Sequence, residues 1–129
     1  MDPLLNIYRD YLECLNNQTW DKLKNYVYDR VCYNNEEIGL AGYRSMLEQN
    51  YRDIPDLYFK AELLVANSSF VACRLAFNCS PTGMFLGLPI NGRNIRFAEN
   101  VFYEFSDSKI KEVWSVIDKA SIEKQLSLG

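Results

Sequence analysis

Residues 93–118, RNIRFAENVFYEFSDSKIKEVWSVID, read as two long strands around one turn. Arg93 to Phe105 is the first strand, Ser106-Asp107-Ser108 the turn, and Lys109 to Asp118 the second. Two further strands precede this hairpin. Asp56 to Ala66 is rich in aromatic and branched residues, Asn67-Ser68-Ser69 is a turn, and Phe70 to Cys79 is the next strand. Between the two pairs lies a loop, SPTGMFLGLPINGR, punctuated by Pro81, Gly83, Gly87, Pro89 and Gly92. Ala120 to Leu126 closes the chain as a short helix.

Upstream of Pro55 the periodicity is helical. Leu4, Tyr8, Tyr11, Leu12 and Leu15 share one face, with Pro3 where a first turn tolerates it. Thr19 is placed to cap a second short helix through Trp20, Leu23, Tyr26 and Val27. Asp29 to Asn34 is a short strand. Gly39 and Gly42 introduce a third helix with Tyr43, Met46, Leu47, Tyr51 and Ile54 on one face, stopped by Pro55. Three helices followed by four antiparallel strands is an α+β plan, and the length of 129 residues makes it one domain spanning 1–129. A strongly twisted sheet wrapped over helices leaves a concave end, where a pocket is expected.

Composition removes several chemistries. The chain has no histidine, so Ser-His-Asp and Cys-His catalysis, histidine-ligated zinc and an imidazole pH switch are excluded. Acid/base chemistry near neutral pH must then come from a carboxyl, tyrosine, cysteine or lysine with a shifted pKa. A formal net charge of −3 argues against a nucleic-acid surface. Cys14, Cys32, Cys73 and Cys79 have no C-x-x-C spacing, and no carboxylate cluster has metal-ligand spacing, so neither a metal nor a cofactor is expected. The opening MDPLLNIYRDYLECL has no signal-peptide core and no apolar run reaches membrane-spanning length, so a cytoplasmic protein with reduced thiols and no membrane partner is expected.

The run Thr82-Gly83-Met84-Phe85-Leu86-Gly87-Leu88-Pro89-Ile90-Asn91-Gly92-Arg93 resembles the T-G-x-F-x-G-x-P-x-x-G-R loop of SnoaL-like polyketide cyclases and ester cyclases, of the nuclear-transport-factor-2-like fold. Lys109-Ile110-Lys111-Glu112-Val113-Trp114, then Asp118 and Gln125-Leu126, are similar to that family's ending. The resemblance implies a cone of helices packed in a curved sheet, dimerising through the sheet, with a deep pocket for a small apolar organic ligand. It also implies cofactor-free acid/base catalysis that closes a ring by intramolecular aldol addition. Three positions depart from the family pattern: Tyr33-Asn34 stand where a histidine and asparagine are common, Glu104 where a second polar residue stands, and Ser108 where the turn has glycine.

Asp118 is the first catalytic candidate. It ends the apolar run Val113-Trp114-Ser115-Val116-Ile117, where desolvation would suit it to act as general acid/base, and it matches the family's catalytic aspartate; alternatively it caps the closing helix. Glu104 is its candidate partner, sharing a sheet face with Asp118 across a three-residue hairpin loop but not across a two-residue one; alternatively it is a solvent-facing strand residue. Glu99 and Glu112 have weaker claims. Tyr33, Asn34, Trp114 and Phe102 are expected to line the substrate site, Tyr33 as a hydrogen-bond donor. The glycine- and proline-rich loop is expected to cover the pocket mouth. The competing reading is a non-catalytic small-ligand-binding or dimerisation module of the same fold.

Overall fold

The structure, a computed structural model, describes residues 2–128. Helix α1 spans Pro3–Asn16, begun by the Asp2 carboxylate, which accepts from the Leu4 amide at 2.9 Å. Its apolar stripe buries Tyr8, Tyr11, Leu12 and Leu15. The expected second short helix is a 3-10 helix over Trp20–Asn25; Tyr26 follows it and Val27 already begins a strand. The Thr19 hydroxyl makes no cap there; it donates back to the Cys14 carbonyl at 3.3 Å. Strands β1 (Val27–Tyr33) and β2 (Glu36–Glu37) form a small hairpin, and helix α2 covers Gly39–Asp53. Gly39 enters that helix at φ +72°, where a Cβ would stand 3.3 Å from the Asp29 carbonyl.

Strands β3 (Lys60–Asn67) and β4 (Phe70–Cys79) pair as expected, and the glycine-rich loop contains a two-residue hairpin, β5 (Met84–Phe85) and β6 (Leu88–Pro89). Strands β7 (Ile95–Ser106) and β8 (Lys109–Ile117) follow, then helix α3 (Lys119–Ser127). The main sheet has six strands in the order β2-β1-β8-β7-β4-β3. It is mixed, not purely antiparallel, because β1 joins β8 in parallel. That pairing joins residues about 80 positions apart in sequence, and no local periodicity reports it.

One sheet face carries the core. Val71, Cys73, Leu75, Phe77, Phe97, Val101, Tyr103, Phe105, Ile110 and Val113 alternate inward and pack against α1 and α2. Asn16 ties the end of α1 to the start of the sheet. Its Oδ1 accepts from the Phe59 amide at 2.7 Å while its Nδ2 donates to the Phe59 carbonyl at 3.0 Å. At the far end the Gln125 side chain holds the Arg96 backbone of β7, and Arg93 donates to the last carbonyls of α3. These contacts account for the arginine and glutamine of the two motifs. Among the described residues no helix is long and apolar enough to cross a membrane.

Candidate active site

The β7–β8 hairpin decides which carboxyls face inward. Asp107 and Ser108 form a two-residue turn, both at positive φ (51° and 64°), with Ser106 opposite Lys109. By itself such a loop puts Glu104 and Asp118 on opposite faces. A bulge intervenes: Phe105 lies opposite Ile110 but Glu104 lies opposite Glu112, leaving Lys111 as the extra residue. The bulge restores a common face, and that face is the outer one.

Asp118 is exposed on this outer side, where its carboxylate accepts from the Ser121 amide at 3.1 Å and starts α3. The apolar walls expected around it are absent, because the chain turns into α3 there. Glu104 lies partly exposed between Phe70 and Glu112. Six residues of strand separate the positions that these two carboxyls occupy, about 20 Å at strand rise, so they share no site. Phe102 and Trp114 also face outward, directly opposite one another, and with Val65, Phe70 and Ala72 line an apolar hollow of about 430 Å³. Phe102 faces away from the helices by the alternation of β7, and the bulge in β8 brings Trp114 to the same side.

The inward carboxyl is Glu99. It interrupts an apolar alternation, Phe97, Val101, Tyr103 and Phe105, and points with them toward the helices. Glu99, given a weaker claim than Asp118 and Glu104 from the sequence, is marked by its place as a glutamate in the middle of an apolar alternation. The Ser115 hydroxyl donates to Glu99 Oε2. Burial pushes the Glu99 carboxyl above the usual carboxylate range, and the Ser115 hydrogen bond opposes this by stabilising the charged form.

Tyr33 and Asn34 converge on the same place. The partly buried Tyr33 hydroxyl reaches Ser115, and burial raises its pKa, so it is a donor at neutral pH. Asn34 does not point into the interior. Its Oδ1 accepts from the Ser115 amide at 2.8 Å and its Nδ2 donates to the Ser115 carbonyl at 3.4 Å. Behind this rim lie four buried phenols joined in pairs: Tyr11 with Tyr43 at 2.7 Å, and Tyr8 donating to Tyr103 at 3.0 Å. Burial holds all four hydroxyls above the ordinary tyrosine value, so they stay protonated. Among the described residues no buried side-chain polar atom lacks a partner.

The glycine-rich loop packs close by. Phe85 sets its ring against Phe97, centroids 5.5 Å apart, and Ile90 is fully buried. The Thr82 amide donates to the Asp53 carbonyl at 2.9 Å, tying the loop to the end of α2. A separate surface cleft of about 880 Å³ lies between the 3-10 turn and the start of α2, with Trp20, Lys24, Leu40 and Arg44 on its walls, and holds none of the candidate residues. No three His, Cys, Asp or Glu side chains among the described residues gather where they could hold a metal ion.

A family model for SnoaL-like polyketide cyclases matches residues 5–126. The crystal structure of a SnoaL-like polyketide cyclase from Agrobacterium tumefaciens is 49% identical, with a TM-score of 0.96 over 98% of this chain and 99% of that one. IdmH from Streptomyces antibioticus, proposed to be a polyketide cyclase, has a TM-score of 0.83 at 16% identity, covering 98% of this chain and 99% of its own. AclR from Streptomyces galilaeus, proposed to be a hydroxylase, has a TM-score of 0.77 at 18% identity, covering 98% and 96%. The last two share the fold; their reactions are their own. No curated protein matches the sequence.

Proposed function

The chain belongs to the SnoaL-like polyketide cyclase family, and on that premise we propose that it is a cofactor-independent cyclase for a small apolar carbonyl compound, with Glu99 as its acid/base. One observation carries the reading: Glu99 is the carboxyl on the helix-facing side of the sheet, hydrogen-bonded to Ser115 and raised by burial. A carboxyl whose pKa is raised takes a proton more strongly when ionised, and at a given pH a larger fraction of it is protonated and able to act as the acid.

In this scheme the Glu99 carboxylate removes a proton α to a carbonyl, and the Tyr33 phenol donates a hydrogen bond to the enolate oxygen. The enolate carbon attacks a second carbonyl of the same molecule. A carbon–carbon bond forms, the attacked C=O becomes an alkoxide, and Glu99 returns its proton there. Asp118 and Glu104, on the outer face, take no part. Asn34 acts on Ser115 instead of on substrate, while Trp114 and Phe102 serve the outer face.

That outer face supports a homodimer. Val65, Ala72, Phe102 and Trp114 form an unbroken row across four strands, with Leu63 and Val116 beside it; Val65 is 64% exposed, Phe102 57% and Val116 70%. So large an uncovered apolar patch calls for a partner, and we assign a second copy of this chain, in the cytoplasm. The alternative, a non-catalytic ligand-binding or dimerisation module, draws on the way Tyr8, Tyr11, Tyr43 and Tyr103 fill the interior. Hydrogen–deuterium exchange at the α-carbon of simple 1,3-dicarbonyl esters separates the readings. The wild type and Asp118→Asn are expected to accelerate exchange and Glu99→Gln to lose it by 100-fold or so, the usual range for an acid/base. Exchange retained in Glu99→Gln contradicts the assignment.

A further inference from the structure

We propose that Asn34 is a positioning residue: its side-chain amide completes the β8 ladder at Ser115 and thereby aims the Ser115 hydroxyl at Glu99. The inference rests on the proposed role of Glu99, but its geometry stands apart from any reaction.

Strand β1 runs parallel to β8 with Tyr33 beside Val113, and the Asn34 amide makes the next rung, donating to the Val113 carbonyl at 2.8 Å. There the backbone leaves the sheet. Asn34 and Asn35 are both at positive φ (48° and 70°) and turn the chain into β2. The β1 edge of Ser115 would be left without a strand neighbour. The Asn34 side chain supplies the missing rung, with one acceptor and one donor as a backbone amide would offer. Asn16 does the same for Phe59 at the end of α1, so this fold uses the device twice.

The other side of Ser115 is fixed by its pairing with Val101 of β7. With both edges held, the Ser115 side chain has one direction, inward, and its hydroxyl meets Glu99. Turn geometry alone does not require this residue. Glycine suits a left-handed position at least as well, so what asparagine adds at Asn34 is the amide. Asn35 makes the contrast: its Oδ1 accepts from the Trp114 indole at 3.1 Å, a contact on the outer face. The other titratable groups around Glu99 are Tyr11 of α1, Tyr33 of β1, Tyr43 of α2, Cys73 of β4 and Tyr103 of β7. All are neutral when protonated, and burial raises each of them, so none charges as Glu99 titrates.

The experiment is a carbon-13 NMR titration of the Glu99 carboxyl in the full chain, assigned with Glu99→Gln. Ser115→Ala removes the donor and is expected to raise the Glu99 pKa. Asn34→Gly keeps the turn, removes the amide, and is expected to raise it in the same direction. Asn34→Gly combined with Ser115→Ala is expected to match Ser115→Ala alone, because the two act through one hydrogen bond. Asn35→Gly is expected to leave the titration where it is. A Glu99 pKa that moves in Ser115→Ala but not in Asn34→Gly, or additive shifts in the double variant, overturns the proposal. Should Asn34→Gly fail to fold, Asn34→Ser, whose shorter side chain cannot make both contacts, is read against the same outcomes. Because the readout is a titration, failure of Glu99 as acid/base shows separately, as retained exchange in Glu99→Gln.

Discussion

Ser115 and Glu99 meet on the diagonal of the β7–β8 pair: Ser115 lies opposite Val101, Glu99 opposite Ile117, and the hydroxyl donates into the carboxylate. Both side chains stand on the helix-facing side of a sheet whose remaining inward positions are almost wholly apolar or phenolic. Taking an ionised carboxyl into such a place is unfavourable unless it is compensated, and one hydroxyl compensates only in part. The same relationship therefore bears on stability and on chemistry.

For stability the sign follows from the raised carboxyl. The folded chain holds the Glu99 proton to higher pH than the unfolded chain, whose glutamates titrate near about 4.3. Above that value the folded state binds more protons, so Glu99's contribution falls as pH rises, until its folded pKa is passed. Glu99→Gln removes this slope. Urea unfolding at pH 4 and pH 7 is expected to show the variant gaining on the wild type at the higher pH; parallel behaviour at both would contradict a carboxyl raised by its partial burial.

Asp118 is expected to behave as a cap. Asp118→Ala should destabilise by about 1 kcal/mol, the usual loss when an aspartate N-cap becomes alanine, and Asp118→Asn by much less. Chemical denaturation of the two variants measures this, and equal losses would argue against the cap.

The Tyr11–Tyr43 pair is buried and mutually satisfied. Tyr11→Phe strands the Tyr43 hydroxyl and is expected to destabilise by about 1–3 kcal/mol, whereas the double change to phenylalanine leaves no orphan and should cost less than the sum of the two single changes. A thermal-unfolding double-mutant cycle reads the difference.

Phe102→Asp places a charge at the centre of the outer apolar row. Sedimentation at micromolar concentration is expected to show a dimeric wild type and a monomeric Phe102→Asp with an unchanged circular-dichroism spectrum. A monomeric wild type would contradict the proposed dimer.

Much of the fold was legible because its signals are local. The α1 stripe from Leu4 to Leu15, the turn at Asn67-Ser68-Ser69 and the strand from Phe70 each depend on neighbours in sequence, and the family resemblance of residues 82–126 agreed with them. The site was less legible. Whether Asp118 shares a face with Glu104 depends on one extra residue, Lys111, and a bulge leaves no mark in composition. The bond between Asn34 and Ser115 joins residues 81 positions apart through a parallel pairing with no local signal. Glu99 had a signal, a charge inside an apolar alternation, whose weight becomes clear only once the inward face is known.

In the proposed reaction Glu99 carries the proton. The most direct test is the pH dependence of α-proton exchange, compared in the wild type and in Ser115→Ala. The rate is expected to rise with the ionisation of a single carboxyl at the pKa that NMR assigns to Glu99, with the midpoint moving upward in Ser115→Ala. A profile that does not follow the Glu99 titration, or that keeps its midpoint when Ser115 is removed, would contradict this role.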